Sequence, residues 1–284
     1  MLVPGDRALP PALAQLSRPP LALYWQGQGA LWPLLARRQA VAVVGTRRAS
    51  RHGMRMAEAI GQALAEAGWP VVSGLAEGID AAAHGGCLAR SGRPVAVLGT
   101  PLERVYPRHH GPLQGAVATA GLLISEQPPG AAVRAGHFAA RNRLQVALAR
   151  AVVVVECPLQ SGALHSARLA WQQQLPLWVV PADTTRQSAA GSNRLLAQGA
   201  TALLEPQDLG RQLGPGPLAG RRSPAIAPST GGDLELLAAL GRGASLEELC
   251  GALHQPADRV AERLLHLELA GLVCAEPGPS WRSL

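Results

Sequence analysis

The chain has 284 residues, 48% of them hydrophobic, enough for one large domain with a buried core and a second small one. All 26 of its Lys+Arg positions are arginine, which excludes lysine Schiff-base chemistry and a P-loop, whose lysine reaches the phosphates. A formal charge of +7 and a pI near 10.4 favour an anionic partner, and no uncharged apolar run approaches the ~18–20 residues of a bilayer span.

Residues 1–38 are rich in Pro and Trp with little periodicity and read as an ordered lead-in. Asp6 and the prolines stand where a signal peptide needs a continuous apolar segment, so a cytoplasmic protein is expected. From Ala40 the pattern changes. AVAVVG (40–45), VVSG (71–74), PVAVLGT (94–100), LLISE (122–126), AVVVVE (151–156) and PLWVVP (176–181) are continuous apolar runs, separated by helix-like or loop stretches. Such runs predict an α/β, Rossmann-like, doubly wound and mainly parallel sheet over residues 39–210. The polar, Gly-containing stretches GTRRAS, SGLAEGID, GTPLERVYP, PLQSGALHS and PADTTRQSAAGSNR all follow predicted strands and are expected to converge on one rim. The apolar segment from Leu195 to Leu204 reads either as a dimer interface or as a last strand with its helix. Residues 211–232, dense in Pro, Gly and Ser, read as a linker. The tail, 233–284, offers two short helices, a longer one and a hairpin ending near Trp281, with Ser245 and Glu248 spaced as a capping box; it predicts a small winged-helix-like domain.

Several loop residues bear on chemistry. In SGLAEGIDAAAH (73–84) a strand runs through a glycine turn into a helix, which presents backbone N–H groups and a positive dipole end to an anion. Asp80 reads as a first-turn cap and His84 as a packed surface histidine. Arg47 stands where a dinucleotide fingerprint needs its second glycine, so NAD and FAD are disfavoured and no cofactor is expected. Arg47, Arg48, Arg51 and Arg55 crowd the start of a helix, against its dipole, which argues that at least one meets an anion. Phe138, the chain's one phenylalanine, precedes Arg141, Asn142 and Arg143. It reads either as a core plug or, with those residues, as a set that stacks a base and clamps its phosphates. Cys87, Cys157, Cys250 and Cys274 form no CxxC and read as reduced thiols, and the eight histidines show no metal-ligand spacing.

Taken together, GTRRAS, SGLAEGIDAAAH, HFAARNRL, QSGALHSARLA and GSNRLLAQGA resemble, in order, the motifs of the DprA/Smf family of DNA-processing proteins. The resemblance covers about 40–205, and the tail fits a domain commonly appended in that family. It implies a Rossmann-like protein, not an enzyme, that binds and protects single-stranded DNA and loads the RecA recombinase during natural transformation, working as a dimer. Carried over residue by residue, it implies DNA contacts at Gly45, Arg47, Arg48 and Ser50 in the first loop. It implies further contacts at Ser73, Gly74, Gly78 and Asp80 in the second, and at Arg134, Phe138, Arg141, Asn142 and Arg143 around the aromatic. Ser161, Gly162 and Asn193 complete the implied set. The sequence departs from the family pattern at Ala139, Ala147, Ala149 and Ala182, and the family's N-terminal helical domain is reduced or missing.

Two rivals belong to other classes. A nucleotide-processing hydrolase similar to the LOG phosphoribohydrolases needs a P-G-G-x-G-T-x-x-E loop, whereas GTPLE (99–103) lacks the preceding glycines. A winged-helix transcription regulator predicts duplex binding through the tail.

Overall fold

The computed structural model describes residues 1–220, 231–240, 243–269, 273–276 and 280–283. They fall into two compact units, Met1–Gly220 and Arg221–Leu284.

The first unit opens with a short helix α1 (Pro11–Ala14), strand β1 (Tyr24–Gly27) and helix α2 (Trp32–Ala36). The predicted alternation follows: β2 (Val41–Val44), α3 (Arg51–Glu66), β3 (Val71–Ser73), α4 (Ile79–Ala89), β4 (Pro94–Leu98), α5 (Gly111–Ala120) and β5 (Leu122–Ser125). Two short helices, α6 (Ala135–Ala140) and α7 (Asn142–Ala147), lead to β6 (Ala151–Val154), α8 (Gly162–Gln172) and β7 (Leu177–Val179). The unit closes with α9 (Ala190–Ala197), β8 (Thr201–Ala202) and α10 (Asp208–Leu213).

The eight strands form one sheet in the order β1-β5-β4-β3-β2-β6-β7-β8, parallel except for β1, which runs antiparallel to β5. Side chains alternate between its two faces, as the pleat requires. Ala42, Val44, Val72, Val95, Val97, Ile124, Val152 and Val154 pack under α1, α2, α7 and α8. Val41, Val43, Val71 and Val153 meet Ile60 and Leu64 of α3 and Ala83 and Cys87 of α4 on the other face. Burial on both faces is why these strands read as unbroken apolar runs.

The lead-in proves to be part of this domain. Leu13, Leu23, Leu31, Trp32 and Leu35 are buried in the sheet's core, and Trp25 lies edge-on to Trp32 with ring centroids 6.3 Å apart. The expected linker is also shorter than 211–232. Its first ten residues are fixed to the end of α3: the Trp69 indole N–H donates to the Gly214 carbonyl at 3.0 Å, Gly216 N–H to Ala67 at 2.7 Å, and Leu218 N–H to Gly68 at 3.0 Å. Residues 221–230 lie outside the described residues, and Gly231 and Gly232 begin a helix. Leu195–Leu204 holds the end of α9 and all of β8, with Leu195 and Leu203 buried and Leu204 exposed.

Among its described residues the second unit has three helices and three strands arranged as a winged helix. It comprises α11 (Gly231–Leu240), β9 (Ala244–Ser245), α12 (Leu246–Leu253), α13 (Ala257–Leu269) and the hairpin β10 (Val273–Glu276) and β11 (Ser280–Ser283), with β9 paired to β11. Leu236, Leu240, Leu249, Val260, Leu264, Leu267 and Val273 form its core, and the Ser245–Glu248 capping box closes at the start of α12. Among the described residues no helix is long and apolar enough to cross a membrane.

Candidate nucleic-acid interface

Connections leave β2 toward β3, β4 and β5, and the chain returns to β6 on β2's other side. The loops after β2 and β6 therefore diverge and leave a crevice at their carboxyl ends, the usual ligand site of an open α/β sheet. A cleft of about 380 Å³ occupies it, walled by Gly45, Thr46, Arg47 and Arg48 on one side and by Pro158, Gln160, Ser161 and Gly162 on the other. Ser161 caps α8, its hydroxyl accepting from Ala163 N–H at 3.2 Å, so the positive end of that helix faces the crevice.

Of the glycine turn, Ala76 and Asp80 line this cleft and Gly74 lines a neighbouring one, while Ser73 and Gly78 line neither. The Ser73 hydroxyl is buried and donates to the Val43 carbonyl at 2.7 Å. Gly74 N–H donates to Asp80 Oδ2 at 3.1 Å, and a Cβ on Gly74 would collide with the Arg141 guanidinium. Gly78 adopts φ 77°, which favours glycine, and packs against the Thr46 carbonyl. Arg141 is buried among the Val97 carbonyl, Asn142 Oδ1 at 3.1 Å and Asp80 Oδ2 at 3.4 Å. Burial pushes the Asp80 carboxyl up against the pull of that guanidinium, and burial lowers the Arg141 pKa in turn. Arg141 thus holds α7 onto the glycine turn. His84, expected at the surface, is fully buried with Nε2 3.3 Å from the Val95 carbonyl.

Phe138 stands at the wall between this cleft and a second one of about 350 Å³ lined by Arg47, Arg104, Tyr106, Arg108 and Val133. It is half-buried. Its ring lies 4.9 Å from that of Tyr106 at 45°, and the Arg47 guanidinium sits 5.1 Å from its centroid. The core-plug alternative for Phe138 therefore gives way to a ring on a cleft wall, beside a cation.

Other implied residues stand apart. Arg143 forks onto Glu126 with two contacts of 2.6 Å and donates to the Arg18 carbonyl at 3.0 Å; it lines neither cleft. Ser50 caps α3, accepting from Gly53 N–H at 3.0 Å while its hydroxyl donates to Glu156 Oε2 at 2.7 Å. Asn193 clamps the loop after β7 through both the N–H and the carbonyl of Ala182, and no residue of 181–194 lines either cleft. Arg134 is exposed at the start of α6, outside both linings. Sequence reasoning missed Tyr106, Arg104 and Arg108, although their loop was expected at the rim. It also missed Gln145 and Ser166, polar residues inside amphipathic or apolar stretches whose inward direction only the packing reveals. Cys87, Cys157 and Cys250 are free thiols, and no metal-binding cluster occurs among the described residues.

A doubly wound domain with a cation-edged switch-point cleft, followed by a winged helix, defines a two-unit class of protein. Residues 1–214 match the family model for DNA recombination-mediator protein A, and residues 220–279 match the DprA winged helix domain. The chain belongs to this DprA/Smf family. Protein Smf of Synechocystis is 40% identical over 217 residues, a match spanning 76% of this chain and 54% of that relative's length. The putative DNA processing protein DprA of Mycobacterium tuberculosis is 39% identical over 93% of this chain and 69% of its own. Among solved structures, DprA of Streptococcus pneumoniae superposes with a TM-score of 0.69 at 32% identity, covering 74% of this chain and 73% of that one. DNA processing protein A of Helicobacter pylori, solved in a study of its single-stranded DNA binding mode, gives 0.65 at 33%, covering 72% and 92%.

Proposed function

We propose that this chain binds single-stranded DNA across the two clefts, shields it and hands it to a RecA-type recombinase during natural transformation, working as a cytoplasmic dimer and by binding rather than catalysis. One observation carries the DNA reading: an aromatic ring on the wall between two clefts, with a second ring, that of Tyr106, and the Arg47 guanidinium beside it. Base stacking on such a ring tolerates any sequence, while Arg47, Arg48, Arg104 and Arg108 supply the charge that tracks phosphates. The named single-strand binding of the Helicobacter pylori relative supports the same ligand. A binding role is supported by Asp80, the carboxylate in the lining of the first cleft, which is already engaged by Arg141 and Gly74 N–H. Transfer to the recombinase rests on family membership.

Fluorescence anisotropy with a labelled single strand and the matching duplex, across a salt series, tests the reading. Phe138→Ala is expected to weaken single-strand binding about tenfold or more, in line with the ~1–3 kcal/mol that stacking one base contributes. Arg47→Ala should weaken it and flatten the salt slope, whereas Arg143→Ala should leave that slope unchanged because its guanidinium is held by Glu126. A duplex preference that persists in Phe138→Ala would move DNA binding to the winged helix.

A further inference from the structure

We infer that the winged helix docks a basic peptide segment of another protein. The segment's apolar side chains would enter the groove between α12 and the start of α13, and its cations would meet Glu247 and Asp258. The inference concerns the second unit alone and does not rest on the single-strand reading above.

The charge of the unit is opposite to that of the chain. Residues 231–284 hold eight acidic side chains and four arginines, a formal charge of −4, so the rest of the chain, at +11, exceeds the total of +7. A helix-turn-helix that reads duplex DNA sets the N-terminal residues of its second helix in the major groove, between phosphates. Here that helix is α13. It opens with Asp258 and carries Glu262 one turn on, both exposed, with Arg259 as the exposed cation between them. Arg263, the next cation, is half-buried and donates to Gln255 Oε1 at 2.7 Å. Helix α12 adds Glu247 and Glu248 in its first turn. A phosphate approaching this face meets carboxylates, so the face repels nucleic acid and anionic lipid alike.

Beside these acids lies an open groove of about 600 Å³, walled by Leu246 and Cys250 of α12 and by Pro256 and Ala257 at the start of α13. Leu246 and Cys250 are one turn apart, the spacing that puts two side chains on one face of a helix. Glu247 stands in the lining, and Asp258 directly follows Ala257. The capping box engages Glu248, whereas Glu247, Asp258 and Glu262 form no ion pair among the described residues. An apolar groove rimmed by unpaired carboxylates complements a segment that places Leu or aromatic anchors between Lys or Arg, the pattern of helix-in-groove recognition. The same carboxylates reject acidic segments, which gives the groove selectivity as well as attraction.

The test selects phage-displayed random peptides on the full chain and counter-selects on Ala257→Trp, which fills the groove from an exposed position. Peptides that bind wild type and are lost on Ala257→Trp are expected to be rich in Arg or Lys and to carry Leu or aromatic anchors. A labelled synthetic copy of the most enriched peptide, followed by anisotropy, should bind the double variant Glu247→Arg, Asp258→Arg about tenfold more weakly than wild type. Arg259→Ala should leave duplex affinity unchanged, and urea unfolding confirms that each variant folds. Groove-dependent peptides that are acidic or uncharged, or the absence of any, overturn the inference, as does full affinity in the charge-reversed chain. Duplex binding weakened several-fold by Arg259→Ala would make DNA the occupant. A lower mass of Ala257→Trp than of wild type in light scattering would make it a second copy of the chain. Either result also overturns the inference.

Discussion

His84 shows how the site's support reaches into the core. It is fully buried beneath the glycine turn, with one ring nitrogen against the Val95 carbonyl and Nδ1 without a partner. Burial, helped by the positive charge of Arg141 and His110, pushes its pKa down to about 4, from 6.5 in an unfolded chain. The folded protein therefore holds a neutral imidazole through a range in which the unfolded chain takes up a proton. The resulting stability is complete above about pH 6.5 and is lost as pH falls from there toward 4, an effect of roughly 3 kcal/mol. Asp80 works the other way: burial raises its carboxyl, so acidification favours the fold at that group. Comparing variants separates the two. Urea unfolding at pH 7.5 and pH 5 should show a steeper acid loss in wild type than in His84→Gln; equal losses would remove His84 from the account. This cluster also marks a limit of legibility. Phe138 stands out in sequence because it is unique, but Arg141 and Arg143 look equivalent there. Two residues apart on a helical segment they point to opposite faces, one to Asp80 and the other to Glu126, and only the packing tells which is which.

At the scale of elements, the apolar runs made β2 to β7 visible, because each is buried on both faces and is apolar up to its last residue, Ser73 and Ser125 closing β3 and β5. The two edge strands were hidden for the complementary reason. β1 has mixed, half-exposed residues and β8 has two exposed ones, and both are held by backbone pairing that leaves little trace in composition. The same applies to 214–218, whose backbone bonds to the end of α3 look like linker in sequence. Helix α3 adds a long-range case. Its first turn has no acid to meet the dipole and begins with Arg51. The compensating carboxylate comes from Glu156, two residues beyond β6, which accepts from both the N–H and the hydroxyl of Ser50. In the sequence Ser50 stands only as a DNA contact implied by the resemblance; its place as a cap and its partner 106 residues away come from the structure. Ser50→Ala should therefore cost about 1–2 kcal/mol in urea unfolding, from loss of the cap and of a bond to a buried carboxylate. Retention of wild-type stability would mean that the Glu156 contact contributes nothing net.

For the molecule as a whole, the question is which unit would hold the single strand proposed above. Each has its own apolar core, and the residues of both clefts belong to Met1–Gly220. The cleft's positive charge is local as well, since Arg47, Arg48, Arg104 and Arg108 all lie in that unit. If these four meet phosphates, the logarithm of the single-strand association constant should fall with the logarithm of salt concentration at a slope of about −3. A chain ending after Gly220 should keep both this slope and the affinity of the full chain within a few-fold, provided its urea transition stays cooperative. Such a result would leave the winged helix free for a partner other than the strand. A folded truncated chain that lost most of its affinity, with a markedly shallower slope, would mean that the winged helix supplies phosphate contacts of its own. The clefts would then be one part of a longer path for the strand.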